Sequence, residues 1–409
     1  MSYIIRAMEE TFLRASREFP VVLLTGPRQC GKTTMLEHLQ KVEGRGRTAV
    51  SLDDLDKRNL AKSDPAQFFQ LHPPPVFIDE VQHAPELFTY IKIQADRDKR
   101  PGDFWLSGSQ IFRLMRGVQE SMAGRVALLH MMPLSQSEIL GRPTSVFDAD
   151  LSRLLERSRG EVYADTTEIY RRIFQGGMPA LVSGRFTDRA TVYSSYVRSY
   201  IERDVKDLSG SIDSLRFLEF LTATAALAGQ MVNYRTLAEH AGIDPKTAKA
   251  WLGILETLGI VFYLRPYSNN VLKRTVSTPK LYFHDTALVC HLVRWSDPGT
   301  LMNGAMSGAL LENFVVAEIL KSHWNTGSDP LLYYYRDKNA KEIDLVMQQN
   351  GRLHPIEIKR TATPDARLTR VFGVLDRSPV PRGTGAVICT AERFGAIDRD
   401  NLIVPVGMI

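Results

Sequence analysis

Gly26-Pro27-Arg28-Gln29-Cys30-Gly31-Lys32-Thr33 sets the architecture of this chain. It follows the apolar run Val21-Val22-Leu23-Leu24-Thr25 and precedes a helical pattern, Met35 to Leu39. Strand, glycine-flanked loop and helix with the spacing GxxxxGK[ST] read as a phosphate-binding loop. Gly26 and Gly31 let the backbone turn tightly and aim its N–H groups at phosphate oxygens. The positive end of the following helix stands behind those oxygens. Lys32 reaches the β and γ phosphates, and Thr33 offers a hydroxyl to Mg²⁺. The stretch from Gly26 to Thr34 is therefore the expected nucleotide contact, with Mg²⁺ beside the phosphates.

Working outward, Thr48 to Leu52 reads as a short strand ending in Asp53-Asp54. Val76-Phe77-Ile78 reads as a buried parallel strand closing on Asp79-Glu80. An acidic pair at the carboxyl end of such a strand lies beside the phosphate loop. Asp79 is expected in the Mg²⁺ shell, and Glu80 as the base that orients and deprotonates the attacking water. Phe104-Trp105-Leu106 is the next strand and ends in Ser107-Gly108-Ser109-Gln110. Ser109, then Ser107, are the candidates to touch the γ-phosphate or the lytic water. An ordinary Gly-Ser turn is the alternative. Arg113, Arg116 and Arg125 are candidate γ-phosphate or cross-subunit arginines. Arg125 is preferred because it opens the apolar run Val126 to Met132.

Taken with Ala123-Gly124-Arg125 and Pro133-Leu134-Ser135, these blocks resemble a prokaryotic AAA+-type P-loop ATPase family. Its members carry a conserved C-terminal region of unknown function, and the similarity spans nearly the whole chain. The resemblance implies that Lys32, Thr33, Asp79 and Glu80 carry ATP hydrolysis and that Ser109 holds the position called sensor one. It implies a helical lid over the nucleotide at Thr166 to Ser199, broken by Gly176-Gly177-Met178-Pro179. It also implies a homo-oligomer, because arginines are often supplied across subunits. Cys30, next to Gly31, departs from the pattern. It is either an oxidisable thiol near helix N–H groups or a small residue whose backbone alone matters.

Leu215 to Leu227, Tyr234 to Ala241 and Pro245 to Leu258 read as three helices, with Gly242 in the turn and Asp244 as N-cap. The spacing is that of a helix-turn-helix, and the run Leu255 to Val261 passes into a strand as in winged-helix domains. The third helix would face DNA through Lys246, Thr247 and Lys249. Lys273, Arg274 and Lys280 add positive charge near the expected wing. A solvated face or a protein-docking module is the alternative.

Farther on, Leu310 to Ser322 reads as a helix containing Glu312. Three β-runs follow: Leu331 to Arg336, Glu342 to Met347 and His354 to Lys359. A helix, Ala366 to Leu375, and a strand, Ala386 to Thr390, complete the order. Alternation puts Glu342 and Asp344 on one face, and Glu357 and Lys359 on one face. With Gly351 in a hairpin turn, the faces meet. Two carboxylates and a lysine on apolar strands make a Mg²⁺ site with a cation beside it. This is similar to the PD-(D/E)XK nuclease core, with Asp344, Glu357 and Lys359 as catalytic residues, Asp344 and Glu357 on the metal, and Glu312 as a further acid. A degenerate nuclease fold kept as a platform is the alternative.

Composition adds bounds. A chain of 409 residues calls for several domains. A net charge of +5 favours a polyanionic partner. Three scattered cysteines make no CxxC pair or zinc spacing and suit a reducing cytoplasm. No apolar run approaches the roughly 18 residues of a membrane span. The expected fold class is α/β. The expected organisation comprises a P-loop AAA+ core at 1–145, a helical lid or linker at 146–205, a winged helix-turn-helix at 206–295 and a nuclease-like α/β domain at 296–409. The expected function is an ATP-hydrolysing DNA motor acting on duplex or branched DNA in repair, recombination, mobile-element or defence roles. The alternative is a nucleotide switch acting on a protein partner, with an inactive C-terminal domain.

Overall fold

The computed structural model describes residues 3–109, 122–159, 164–201, 205, 213–268 and 278–409. The first layer is a parallel sheet of β1 (Val21–Thr25), β2 (Thr48–Ser51), β3 (Val76–Asp79), β4 (Phe104–Gly108) and β5 (Val126–His130). Their order is β2-β3-β4-β1-β5. β1 is buried on both faces, which is why its sequence is apolar without alternation. Val21 and Leu23 pack with Phe68, Phe88 and Ile91 on one side. Val22 and Leu24 pack with Phe12, Leu36 and Trp105 on the other. That second side is covered by α1 (Met8–Glu18) and α2 (Lys32–Glu43). Because the strands are parallel, Thr25, Gly108 and His130 share a register line at one edge, and Asp79 lies at the same edge beside Ser51. Everything expected to touch phosphate is delivered there.

The described residues from Phe147 onward gather around a second sheet. α3 (Ser214–Ala226), α4 (Tyr234–Ala241) and α5 (Pro245–Thr257) each start on a side-chain cap, from Asp213, Asn233 and Asp244. Gly242 takes φ 58°, the left-handed turn between α4 and α5. β6 (Val261–Pro266) and β7 (Lys280–Phe283) then pair antiparallel. α6 (Ser307–Trp324) is apolar nearly all round, as a fully buried helix should be. After it come β8 (Leu331–Arg336), β9 (Glu342–Gln349), β10 (Arg352–Lys359), β11 (Gly385–Cys389), β12 (Gly395–Ala396) and β13 (Asn401–Pro405).

Among the described residues these strands form one sheet, β12-β13-β11-β10-β9-β8-β6-β7. The join is parallel, Arg265 beside Tyr333 and Pro266 beside Tyr334. One apolar core runs from Phe147 to Met408. Sheet and core therefore both continue across residues 295 and 296. The helix expected over Ala366 to Leu375 tightens after Thr369 into 3₁₀ turns, Arg370–Arg377. Val371, Gly373 and Val374 there are weak α-formers. No helix among the described residues is long and apolar enough to cross a membrane.

Candidate functional site

At the carboxyl edge of the first sheet, Gly26 holds φ +148°, and a Cβ there would stand 2.0 Å from the Met131 carbonyl oxygen. Only glycine fits that exit from β1. The Lys32 ammonium folds onto the loop, donating to Gly26 O at 2.9 Å and Pro27 O at 2.8 Å. Thr33 Oγ1 donates to the two Asp79 carboxylate oxygens at 3.2 and 3.0 Å. Ser107 Oγ also donates to Asp79. Burial pushes the Asp79 carboxyl up, and the Ser107 hydrogen bond only partly opposes that. Glu80 sits in the left-handed region at φ 54°. Its Oε2 accepts from Gln82 Nε2 and from Ser109 Oγ, the latter at 3.3 Å. Thr33 and Asp79 are adjacent hard oxygen donors, a set that fits Mg²⁺.

The loop is braced from behind. Arg6 donates through Nη1 to Cys30 O at 2.6 Å, through Nη2 to Met132 O at 2.8 Å and through Nε to Glu138 at 2.8 Å. Burial pushes Glu138 up, but Arg6 outweighs it and holds the carboxyl below its usual range. Sequence reasoning missed Arg6 and Glu138, which have no local signature. Cys30 is buried, with Sγ 3.5 Å from Met131 O. Thr34 is exposed. Against the loop lies a small cleft where Pro27, Gln29 and Cys30 meet Met178, Tyr196 and His284. Gly259, just past α5, closes against the loop, and a Cβ there would lie 3.1 Å from Pro27 Cδ.

The second constellation is assembled by the β9–β10 hairpin, whose turn Asn350-Gly351 takes φ 50° and 71°. Lys359 Nζ lies 2.7 Å from Asp344 Oδ2 and 2.8 Å from Glu357 Oε2. The Ile358 amide also donates to Asp344, at 2.9 Å. Burial and then Asp344 push Glu357 up to about 8, so at neutral pH it is protonated and hydrogen-bonded to Asp344. Glu312, from α6, accepts from Lys280 Nζ at 3.0 Å and Tyr282 Oη at 2.6 Å. Lys280 also reaches Glu342 at 2.6 Å. Burial and then Asp344 push Glu312 up. Among the described residues no group of three or more His, Cys, Asp or Glu could hold a metal. The expected set of Glu312, Asp344 and Glu357 is divided between two ammonium groups, and no metal-dependent step follows from it.

Other candidates fall elsewhere. Lys280 is 4% exposed and ion-paired, so it is not a phosphate contact on a wing as expected. Arg125 precedes β5 and therefore lies at the edge opposite its own phosphate loop, about 16 Å away along a five-residue strand. It pairs there with Asp96 and cannot reach the nucleotide of its own chain. Lys246 and Lys249 are exposed on α5, whereas Thr247 bonds the capping Asp244. Lys273, Arg274, Arg113 and Arg116 lie outside the described residues.

Residues 18–140 match a family described as an AAA domain. Residues 166–299 and 307–409 match two families each described as a domain of unknown function, DUF8612 and DUF4143. An uncharacterized protein of Mycobacterium tuberculosis is 32% identical over 355 residues, covering 86% of this chain and 73% of that protein. An uncharacterized protein of Mycobacterium bovis matches to the same extent. Among solved structures, the Walker-type ATPase of Pyrococcus abyssi overlaps 70% of this chain and 94% of its own, at 15% identity and a TM-score of 0.44. The Thermotoga maritima RuvB Holliday junction branch migration motor overlaps 63% of this chain and 85% of its own, at 19% identity and a TM-score of 0.28.

Proposed function

We propose that this chain, which belongs to the same family as the two mycobacterial proteins and carries an AAA-type ATPase domain at residues 18–140, is an ATP-driven DNA-binding protein. When ATP enters the loop, the Lys32 ammonium exchanges its two carbonyl partners for the β and γ phosphates. Thr33 and Asp79 would hold Mg²⁺, which supplies positive charge to those phosphates. Glu80 accepts the proton of the attacking water, and Ser109 and Gln82 keep its carboxylate aimed. Arg125, exposed at the far edge, is the candidate to serve a neighbouring copy in a homo-oligomer.

Supporting DNA contact, α3, α4, α5 and the β6–β7 pair follow the element order of a winged helix-turn-helix. The single observation behind this reading is the pair Lys246 and Lys249, exposed on a capped helix whose opposite side, Ala248 and Leu252, is buried. Fluorescence anisotropy with duplex and branched DNA tests it. Lys246→Glu with Lys249→Glu should weaken binding to every sequence and lower the salt slope by about 1 for each phosphate the two lysines would neutralise. Unchanged affinity and slope would sink the assignment.

A second reading is supported by the C-terminal cluster. Its order of helix, strands and acids is similar to a PD-(D/E)XK core, but its acids are already neutralised, Glu312 by Lys280, Asp344 by Lys359 and Glu357 by its own proton. Such a module binds rather than cuts. A nucleotide switch acting on a protein partner then becomes the alternative, and a chain that hydrolyses ATP but binds no DNA would favour it.

A further inference from the structure

His284 follows β7, and its place is fixed from several sides. Its backbone amide donates to Ile260 O at 3.1 Å. Its ring packs against Phe262 and Trp324, with centroids 4.6 and 5.6 Å away. The next residue, Asp285, accepts from Tyr193 Oη at 2.8 Å and from the Ala287 amide at 3.0 Å. Gly176 closes over it, where a Cβ would come 2.2 Å from Asp285 Oδ1. The ring is thus held where it stands. It is 4% exposed, yet its Nδ1 has no hydrogen-bond partner among the described residues. A buried ring nitrogen without a partner calls for an explanation, and one explanation is a ligand. His284 lines the same cleft as Pro27, Gln29 and Cys30 of the phosphate loop.

We propose that His284 is a nucleotide-binding residue, its Nδ1–H donating to a phosphate oxygen of the nucleotide held by Gly26 to Thr33. The inference rests on the nucleotide-site reading above and adds a contact from outside residues 18–140. Burial, with Lys321 and His130 nearby, holds the ring down to about 3, so it is neutral before a ligand arrives. The contact joins two parts of the chain through the ligand. Trp324 of α6 touches the rings of both His284 and His130, and His130 shares a 2.7 Å hydrogen bond with Thr25 at the end of β1.

Calorimetric titration of the full chain with ADP and with ATP tests this. His284→Phe keeps a ring to stack on Phe262 and Trp324 but removes the donor. It should weaken both nucleotides about tenfold, or about 1.4 kcal/mol. His284→Asn, which keeps an N–H near the Nδ1 position, should recover most of the affinity. Wild-type affinity in His284→Phe overturns the proposal. Lys32→Ala separates the two failures. If it too binds as wild type, the nucleotide site itself is misassigned; if it alone abolishes binding, only His284 is. Should His284→Phe not fold, ¹⁵N-histidine spectra of the wild type decide, with the resonance assigned through His284→Asn. Movement of that Nδ1 signal on adding ADP supports the contact, and a stationary signal overturns it.

Discussion

Two acid pairs, one at the carboxyl end of β3 and one within the β9–β10 hairpin, are treated in opposite ways. Asp79 and Glu80 face neutral donors: the hydroxyls of Thr33, Ser107 and Ser109 and the amide of Gln82. Asp344 and Glu357 face the ammonium of Lys359, and nearby Glu312 faces that of Lys280. Hydroxyl and amide partners orient a carboxylate and leave its charge available to an incoming cation or water. An ammonium on Asp344 and on Glu312, and a retained proton on Glu357, cancel that charge within the fold. The first arrangement suits a site that works on a ligand. The second suits one that holds its own structure together.

The largest expected effect strikes the first site. Glu80→Gln should lower ATP hydrolysis about 10²- to 10⁴-fold while nucleotide binding persists. A steady-state rate near wild type would mean that Glu80 is not the base, and the contrast between the pairs would lose its functional half. Next, Lys280→Met should leave Glu312 and Glu342 without their buried cation. Removing one partner of such a pair costs about 3 kcal/mol. Urea denaturation reads it, and a gain in stability would show that the ammonium is not needed there.

A pH effect sharpens the comparison further. Folding holds Glu357 up to about 8, against 4.5 for a free glutamate. Between these values the folded chain keeps a proton that the unfolded chain has released, so stability falls as pH rises from about 4.5 to about 8. Glu357→Gln cannot titrate and should flatten that fall. Urea midpoints at about pH 5 and about pH 8 compare the two chains, and an unchanged slope contradicts the assignment. The smallest effect belongs to Ser109→Ala, which removes one neutral hydrogen bond to Glu80. It should slow hydrolysis about fivefold, the equivalent of ~1 kcal/mol. A drop as large as that of Glu80→Gln would make Ser109 a direct partner of the water or phosphate.

The phosphate loop was legible because its physics is local. Eight consecutive residues between a strand and a helix specify the backbone path, the cation and the hydroxyl. Asp344, Glu357 and Lys359 were legible through strand alternation and the turn at Gly351. The position of Arg125 could have been read, since the first residue of a parallel strand lies opposite a loop that follows its neighbour's last. Other features depend on distant pairing. Lys280 enters the carboxylate cluster because β7 extends the same sheet as β9, a join made where Arg265 meets Tyr333. No periodicity announces that pairing, so Lys280 read as wing charge. Glu318 and Lys321 lie on the expected helix Leu310 to Ser322 with no signal of their own. They are buried together, with Glu318 accepting from the Gln136 amide at 2.7 Å and Lys321 donating to Leu134 O at 3.2 Å. That docks α6 on the segment after β5, a contact seen only once both sheets exist.

The most direct measurement follows ATP hydrolysis by the full chain with no DNA, duplex DNA and branched DNA, scoring strand breaks in the same tubes and using Lys32→Ala as the blank. The account predicts hydrolysis stimulated by DNA, abolished in Lys32→Ala, with the DNA left uncut. Hydrolysis indifferent to every DNA would contradict it at the first site, and strand breaks that vanish in Asp344→Ala would contradict it at the second.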